Sequence, residues 1–157
     1  MLTKVLEWGR LMAYLEQSTR YVPYTDRPGG RWKYRVPEEL EGRPERKAYE
    51  SGLDAAFSTY ARWLEPMQEW FAARYPRGEG VSKGVYTRTI RAKALDSLRG
   101  LLPAATRANV GIYGTGQAYE ALLLRMRASP LAEADQYAES MLEQLRKVIP
   151  AFLRRVD

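Results

Sequence analysis

The chain has no cysteine and no histidine among its 157 residues. Without cysteine it can form neither disulfide bonds nor thiolate metal sites. Without histidine it lacks the commonest metal ligand and the commonest general base near neutral pH. We therefore expect no metal site, and neither metal-dependent hydrolysis nor serine–histidine catalysis.

Long hydrophobic runs are absent as well. No stretch approaches the roughly 20 apolar residues that span a bilayer. Near the N-terminus, Lys4, Glu7 and Arg10 interrupt the apolar stretch that a signal peptide needs. These features predict a soluble, cytoplasmic protein without a membrane partner.

Basic residues, by contrast, are abundant: 25 Lys and Arg stand against 19 Asp and Glu, a net charge of +6. Most of them are arginines, which suit bidentate contacts with phosphate. Because they are scattered among acidic residues rather than massed in a block, the pattern favours a nucleotide-sized ligand over a polynucleotide. A hydrophobic content of 45% can supply the core of one domain.

Apolar periodicity predicts a single, mainly α domain over 1–157 with a few short β-strands, an α+β fold. Leu2, Leu6 and Leu15 belong to a pattern of helical spacing that indicates one largely buried first helix. Pro66 is expected to kink or split a long helix. The predicted elements are a helix over 2–18, a loop with a short strand within 21–36, helical structure over 37–75, a helix over 82–102, a short strand over 109–113, and helices over 116–128 and 130–149.

The segment 21–36 interleaves aromatic and basic residues. Trp32 and Tyr34 alternate with Lys33 and Arg35, as in a short strand. Aromatic rings among basic side chains are typical of surfaces that stack bases and neutralise phosphates. An exposed hairpin with one polar face has the same pattern, so both interpretations stay open.

The segment from Glu16 to Tyr21 places a carboxylate, a hydroxyl and a guanidinium within six residues. If the predicted helix continues through it, Glu16 and Arg20 lie four residues apart on one face. A helix end also offers unpaired backbone groups to a polar ligand. The segment is therefore either a ligand site or an internal salt bridge with Ser18 as a capping residue.

Glu16-x-Ser18-x-Arg20-Tyr21 resembles the second half of the signature of flavin-dependent thymidylate synthases. That signature reads Arg-His-Arg-x-x-Ser-x-Asn-Glu-x-Ser-x-Arg-Tyr, and Arg10 matches its second arginine. Four positions depart from it: Trp8, Gly9, Ala13 and Leu15.

Two downstream segments strengthen the resemblance. The sequence from Leu98 to Pro103 is similar to the family's Ala-Arg-x-x-Leu-Pro segment, with Arg99 on the arginine. The sequence from Leu122 to Arg125 is similar to its Leu-x-Leu-Arg segment. The three segments follow the family's order, so the chain resembles a divergent branch of the family.

The resemblance implies reductive methylation of dUMP to dTMP, with FAD carrying the hydride, NADPH reducing the flavin and methylenetetrahydrofolate giving the carbon. It implies that Ser18 and Arg20 hold the dUMP phosphate and that Arg99 adds a positive contact. Arg125 would face the uracil and Glu16 would orient these groups. By the same resemblance Arg10 would lie near FAD, and no catalytic residue is assigned.

The family has a substantial portion ahead of its signature, whereas here the signature begins almost at Met1. The resemblance thus implies the C-terminal part of the family's fold, in a homotetramer or with a separate chain that supplies the rest. Three functions remain open: a thymidylate synthase, incomplete on its own; a non-catalytic nucleotide-binding or assembly subunit of that family; and a basic helical nucleic-acid-binding domain. The last would use four basic residues: Arg27, Arg31, Lys33 and Arg35.

Overall fold

The computed structural model describes residues 2–7 and 9–156. Over these residues the fold is mainly α with one two-stranded antiparallel sheet, so the predicted fold class is confirmed. The elements are α1 (Leu2–Leu6), β1 (Met12–Glu16), α2 (Glu45–Arg74), α3 (Lys83–Leu98), β2 (Val110–Gly114), α4 (Gly116–Arg127) and α5 (Ala132–Arg146). In the part of the chain that is described, no helix is long and apolar enough to cross a membrane.

The contacts divide the chain into two compact units. The terminal unit comprises 2–16, 37–41 and 109–156, and the central unit comprises 17–36 and 42–108. Each unit has a hydrophobic core of its own.

The core of the terminal unit lies between α4 and α5. Leu122, Leu123 and Met126 of α4 are buried against Ala134 and Ala138 of α5. The two alanines allow the helices to approach closely, because their side chains are small. The hydroxyl of Thr115 caps α4 by accepting the Ala118 N–H at 3.3 Å.

The core of the central unit lies between α2 and α3 and is rich in aromatic rings. Its buried members are Tyr24, Trp32, Phe57, Tyr60, Leu64, Ala94, Leu95 and Leu98. The α3 helix begins where the Ser82 hydroxyl accepts the Val85 N–H at 3.3 Å. This cap and the apolar spacing of α2 both agree with the helices that the sequence predicts here.

The predicted helix over 2–18 is wrong. Helix α1 ends at Leu6, and 12–16 form strand β1, which pairs antiparallel with β2 from Met12↔Gly114 to Glu16↔Val110. Between them, the Tyr14 hydroxyl closes a turn: it accepts the Gly9 N–H at 3.0 Å and donates to the Gly9 carbonyl at 3.2 Å. The partner strand lies almost 100 residues later, so local periodicity could not reveal it.

Three smaller differences concern the other predicted elements. Helix α2 begins at Glu45 instead of including 37–44, and it runs through Pro66 without being split. The strand expected within 21–36 is reduced to one bridge, between Tyr34 and Thr106. Helix α3 ends at Leu98, and a single 3₁₀ turn follows over 99–101.

Candidate nucleotide-phosphate site

Two arginines of the central unit converge on one carboxylate. The Nε atom of Arg99 lies 3.2 Å from Oδ1 of Asp96, and the Nε atom of Arg20 lies 3.9 Å from the same oxygen. Asp96 and Arg99 are three residues apart at the end of α3 and so share a face. All three side chains are about half exposed. Such a pair of guanidinium groups fits an anion with several oxygens.

A tight turn positions Arg20 toward α3. The Ser18 carbonyl accepts the N–H groups of Tyr21 and Val22 at 3.1 and 3.3 Å. The Ser18 hydroxyl accepts the Arg20 N–H at 3.3 Å. This hydroxyl can still donate its own hydrogen, so Ser18 can both shape the turn and contact an anion.

In the described structure, Glu16 and Arg20 do not form the internal salt bridge that one interpretation of the sequence expected. Glu16 lies in β1, where its carboxylate pairs with Lys4 Nζ at 3.2 Å, and Arg20 pairs with Asp96 instead. Lys4 also contacts Glu7 at 2.7 Å, and hydrogen bonds to Glu7 and then Glu16 raise its pKa above the ordinary value. Helical i, i+4 spacing does not apply because the backbone is extended here.

The remaining predicted site residues lie in the terminal unit. Arg125 is in the last turn of α4, half-buried, with its Nη1 atom inside the protein. Arg10 is exposed in the turn between α1 and β1. Within one unit, therefore, the structure brings together Ser18, Arg20 and Arg99.

Position 9 does not fit the histidine that the family signature has there. A Cβ atom on Gly9 would lie 2.6 Å from the Tyr14 hydroxyl oxygen, which occupies the space of a side chain. The histidine of the signature would therefore displace Tyr14 and the turn that it closes. Trp8, on the signature's first arginine, lies outside the described residues. We therefore assign no side-chain flavin contact to position 9, and Arg10 as an FAD residue stays a prediction.

A second polar cluster lies beside Trp32, where the aromatic and basic segment noted in the sequence meets residues of α2 that the sequence analysis missed. A pocket of about 180 Å³ is lined by Arg27, Gly30, Arg31, Trp32, Tyr34, Glu50, Asp54 and Ser58. The Tyr34 hydroxyl donates to Asp54 at 2.9 Å. Glu50 and Asp54 are four residues apart on α2, which is the only sequence signal that they share a face.

The aromatic rings of this cluster are occupied by protein groups. Trp32 is buried and stacks on Phe57 with ring centroids 5.6 Å apart. The Arg27 guanidinium lies 3.9 Å above the Trp32 ring. Lys33, in turn, pairs with Asp26 at 2.7 Å. This arrangement counts against base stacking on Trp32 and thus against the nucleic-acid interpretation of the segment.

The pKa of Tyr34 is raised from its ordinary 10.0 to about 12. Burial is the main cause, and the hydrogen bond to Asp54 is the second. The folded state therefore binds the phenolic proton more tightly than the unfolded chain does. This contribution to stability is complete below pH 10.0 and is lost as the pH rises toward about 12. We expect Tyr34→Phe to flatten the alkaline loss of stability, measured by urea unfolding at several pH values.

Asp54→Asn provides the matched control for that experiment. It removes the charged acceptor but leaves Tyr34 buried, so the Tyr34 pKa should fall only part of the way to its ordinary value. Ultraviolet difference spectra between Asp54→Asn and Asp54→Asn/Tyr34→Phe isolate this tyrosine. A Tyr34 that titrates at its ordinary pKa in the unsubstituted protein would contradict the prediction.

Within the described part of the chain, no group of three or more acidic side chains could hold a metal ion. The convergence of Arg20 and Arg99 near the Ser18 turn suits the binding and positioning of an anion.

Comparison with known proteins identifies relatives over nearly the whole chain. A UPF0159 protein of Chlamydia muridarum is 36% identical over 155 residues, which are 98% of this chain and 29% of that protein. A UPF0159 protein of Chlamydia pneumoniae is 34% identical with the same coverage, and one of Thermoplasma acidophilum is 26% identical over 176 residues, 35% of its length. The chain spans about a third of the length of these relatives.

The model of the family described as thymidylate synthase complementing protein matches residues 2–151. That range contains the three segments on which the sequence resemblance rests and both arginines that converge on Asp96. The chain therefore belongs to the thymidylate synthase complementing protein family, the flavin-dependent thymidylate synthases.

Proposed function

We propose that this chain binds dUMP in the cytoplasm as part of a flavin-dependent thymidylate synthase, and that Arg20 and Arg99 hold the nucleotide's phosphate. The convergence of both guanidinium groups on the Asp96 carboxylate supports the proposal. In this interpretation the carboxylate oxygen marks where one phosphate oxygen would lie. A monophosphate brings about two negative charges, so it competes well for two arginines.

Ser18 and Arg125 complete the proposed substrate contacts. The Ser18 hydroxyl would donate to the phosphate while it accepts the Arg20 N–H. Arg125, carried over from the family, would contact the uracil; it lies in the last turn of α4 with its Nη1 atom buried. Glu16 would orient neighbouring cations, as its contact with Lys4 already does. These groups position the pyrimidine and supply no nucleophile.

Reductive methylation also needs a hydride donor and a one-carbon donor. Family membership points to FAD, NADPH and methylenetetrahydrofolate for these roles. Because a side chain at position 9 would displace Tyr14, we infer that this position gives no side-chain contact to flavin, that Arg10 lies near it, and that further contacts come from a homo-oligomer or a separate chain. The contribution of this chain to catalysis is then to hold the dUMP phosphate and base.

Calorimetry with the purified chain tests the proposal. We expect dUMP to bind, deoxyuridine to bind much more weakly because it lacks the phosphate, and added FAD to strengthen dUMP binding if flavin and nucleotide share a site. Equal affinities for dUMP and deoxyuridine would show that Arg20 and Arg99 do not hold the phosphate. Binding of neither would overturn the proposed function.

A non-catalytic nucleotide-binding subunit of the same family is the second candidate. The crowded position 9, which leaves no room for the histidine of the family signature, favours it. An assay for dTMP formation with FAD, NADPH and methylenetetrahydrofolate separates the two. Product formation by the chain alone supports the enzyme, whereas dUMP binding without product supports the subunit.

A further inference from the structure

A turn of the central unit brings two arginines into the lining of the pocket beside Trp32. The Gly30 N–H donates to the Arg27 carbonyl at 2.9 Å, and the Arg31 N–H donates to the Pro28 carbonyl at 3.4 Å. Gly30 has a φ of +79°, a left-handed conformation that suits glycine. Because of this turn, Arg27 and Arg31 line the same pocket although they are four residues apart.

Helix α2 supplies two carboxylates and a hydroxyl to this pocket. Glu50, Asp54 and Ser58 follow one another at intervals of four residues, so they lie along one face of the helix. Oδ1 of Asp54 accepts from the Tyr34 hydroxyl at 2.9 Å, which leaves Oδ2 able to accept from a ligand. Glu50 already pairs with Arg46 at 3.3 Å, so Asp54 is the carboxylate with more capacity for a ligand.

The arginines and the carboxylates of the pocket do not pair with each other. Across the described residues, neither arginine forms an ion pair with either of these carboxylates. The Arg27 guanidinium instead stacks on Trp32 at 3.9 Å, and its N–H groups, which lie in the guanidinium plane, can still donate at its edge. Opposite charges that line one small pocket without pairing are complementary to a ligand that carries both charges itself.

The volume and the lining of the pocket limit that ligand further. A cavity of about 150 Å³ holds one benzene molecule, and this pocket of about 180 Å³ therefore suits a ligand of about seven non-hydrogen atoms. The Trp32 ring is buried and covered by Arg27, so a ligand would meet mainly polar groups. A small polar zwitterion satisfies both limits, whereas a planar base could stack on Trp32 only by displacing Arg27.

We propose that this pocket binds an α-amino acid with a small polar side chain, of about the size of serine. Its carboxylate accepts hydrogen bonds from Arg31 and Arg27, its ammonium group donates to Asp54, and its hydroxyl contacts Ser58. The pocket shares no residue with the proposed phosphate site, so the two proposals can fail separately.

Nuclear magnetic resonance titration of the isotope-labelled full chain tests the proposal, with L-serine as the probe. We expect L-serine to shift the backbone amide signals of Gly30, Arg31 and Asp54 and to saturate them at millimolar concentration, since the charged partners are exposed. Ethanolamine is serine without the carboxylate, and β-hydroxypropionate is serine without the ammonium group. Each should bind at least about tenfold more weakly than L-serine. Equal affinity for L-serine and either analogue, or no shift with L-serine, would overturn the proposal.

Two substitutions assign each end of the ligand to its partner. Arg31→Gln should weaken L-serine binding at least about tenfold without weakening ethanolamine binding, because ethanolamine has no carboxylate. Asp54→Asn should weaken L-serine binding to a similar extent without weakening that of β-hydroxypropionate. Variants that weaken the binding of all three probes alike would contradict the assigned contacts.

The matched controls are Arg88→Gln and Glu65→Gln, which remove the same charges from exposed positions outside the pocket. At moderate salt they should leave the affinity for L-serine unchanged. The double variant Arg20→Gln/Arg99→Gln should also bind L-serine normally. Loss of L-serine binding in that variant would place the amino acid at the phosphate site and overturn the proposed pocket. Amide spectra that match the unsubstituted chain away from each substitution show that the variants keep the fold.

Discussion

Replacing both Arg20 and Arg99 with glutamine is expected to abolish measurable dUMP binding. Hydrogen bonds to charged groups contribute about 1.5–3 kcal/mol each. Since both arginines are about half exposed, we expect the lower part of this range, about tenfold in affinity for each single variant. Affinity for deoxyuridine should change little, because the lost contacts are to the phosphate. Calorimetry with dUMP and with deoxyuridine measures the two affinities for each variant.

Arg88→Gln supplies the matched control, since it removes one positive charge from an exposed position of α3, the helix that ends next to Arg99. It should reduce dUMP affinity only through the net charge, an effect that disappears at moderate salt. If Arg88→Gln weakens binding as much as Arg99→Gln does, the two arginines form no specific site.

Asp96→Asn should strengthen dUMP binding. Loss of the carboxylate frees the arginines, and fixing a side chain on binding costs about 0.5–1.5 kcal/mol. This ordering cost opposes the gain from removing the negative charge of the carboxylate. A like charge about 4 Å from the phosphate costs about 1 kcal/mol in water and about 4 kcal/mol near a protein surface. The phosphate carries about two charges, so relief of repulsion wins. Weaker binding by Asp96→Asn would show that this carboxylate positions the arginines rather than competing with the ligand.

Phe57→Ala should destabilise the central unit by about 3–5 kcal/mol, a large part of a typical domain's stability. Phe57 is completely buried, with Trp32 at 5.6 Å and Tyr34 at 5.8 Å between ring centroids. Truncation removes the transfer free energy of the ring and leaves a cavity between two large rings that cannot close easily. Urea unfolding followed by circular dichroism measures the free energy.

Trp63→Ala on the same helix is the control for Phe57→Ala. The Trp63 side chain is 48% exposed, so its truncation should cost about 1 kcal/mol or less. Phe57→Leu should fall between the two because leucine fills part of the space. Equal losses for Phe57→Ala and Trp63→Ala would mean that the aromatic cluster does not hold the unit together.

The alkaline behaviour of Tyr34 and the packing of Phe57 concern the same cluster. The Tyr34 ring packs against Phe57, and the Tyr34 hydroxyl donates to Asp54. Both partners belong to α2, so apolar and polar contacts together hold the segment 21–36 against that helix. This explains why aromatic residues alternate with basic ones in that segment. The rings of Trp32 and Tyr34 pack against Phe57, while Arg27 covers the Trp32 ring and Lys33 pairs with Asp26.

Much of the fold could be predicted because a helix is specified by residues that are close together in the sequence. The periodicity of α2 to α5 and the caps at Ser82 and Thr115 depend on residues within a few positions of each other. Family membership was likewise visible in the sequence, since matching residues at Arg20, Arg99 and Arg125 need no structure to be recognised.

What the tertiary structure decided depends on partners far away in the chain. Residues 12–16 form a strand because 110–114 offer it backbone hydrogen bonds, although their apolar spacing also suits a helix. Once that backbone is extended, Glu16 contacts Lys4, and Arg20 instead shares Asp96 with Arg99. Sequence alone identified the arginines. Only long-range packing determined which groups they meet, because neither strand pairing nor the approach of a loop to a helix is encoded in local spacing.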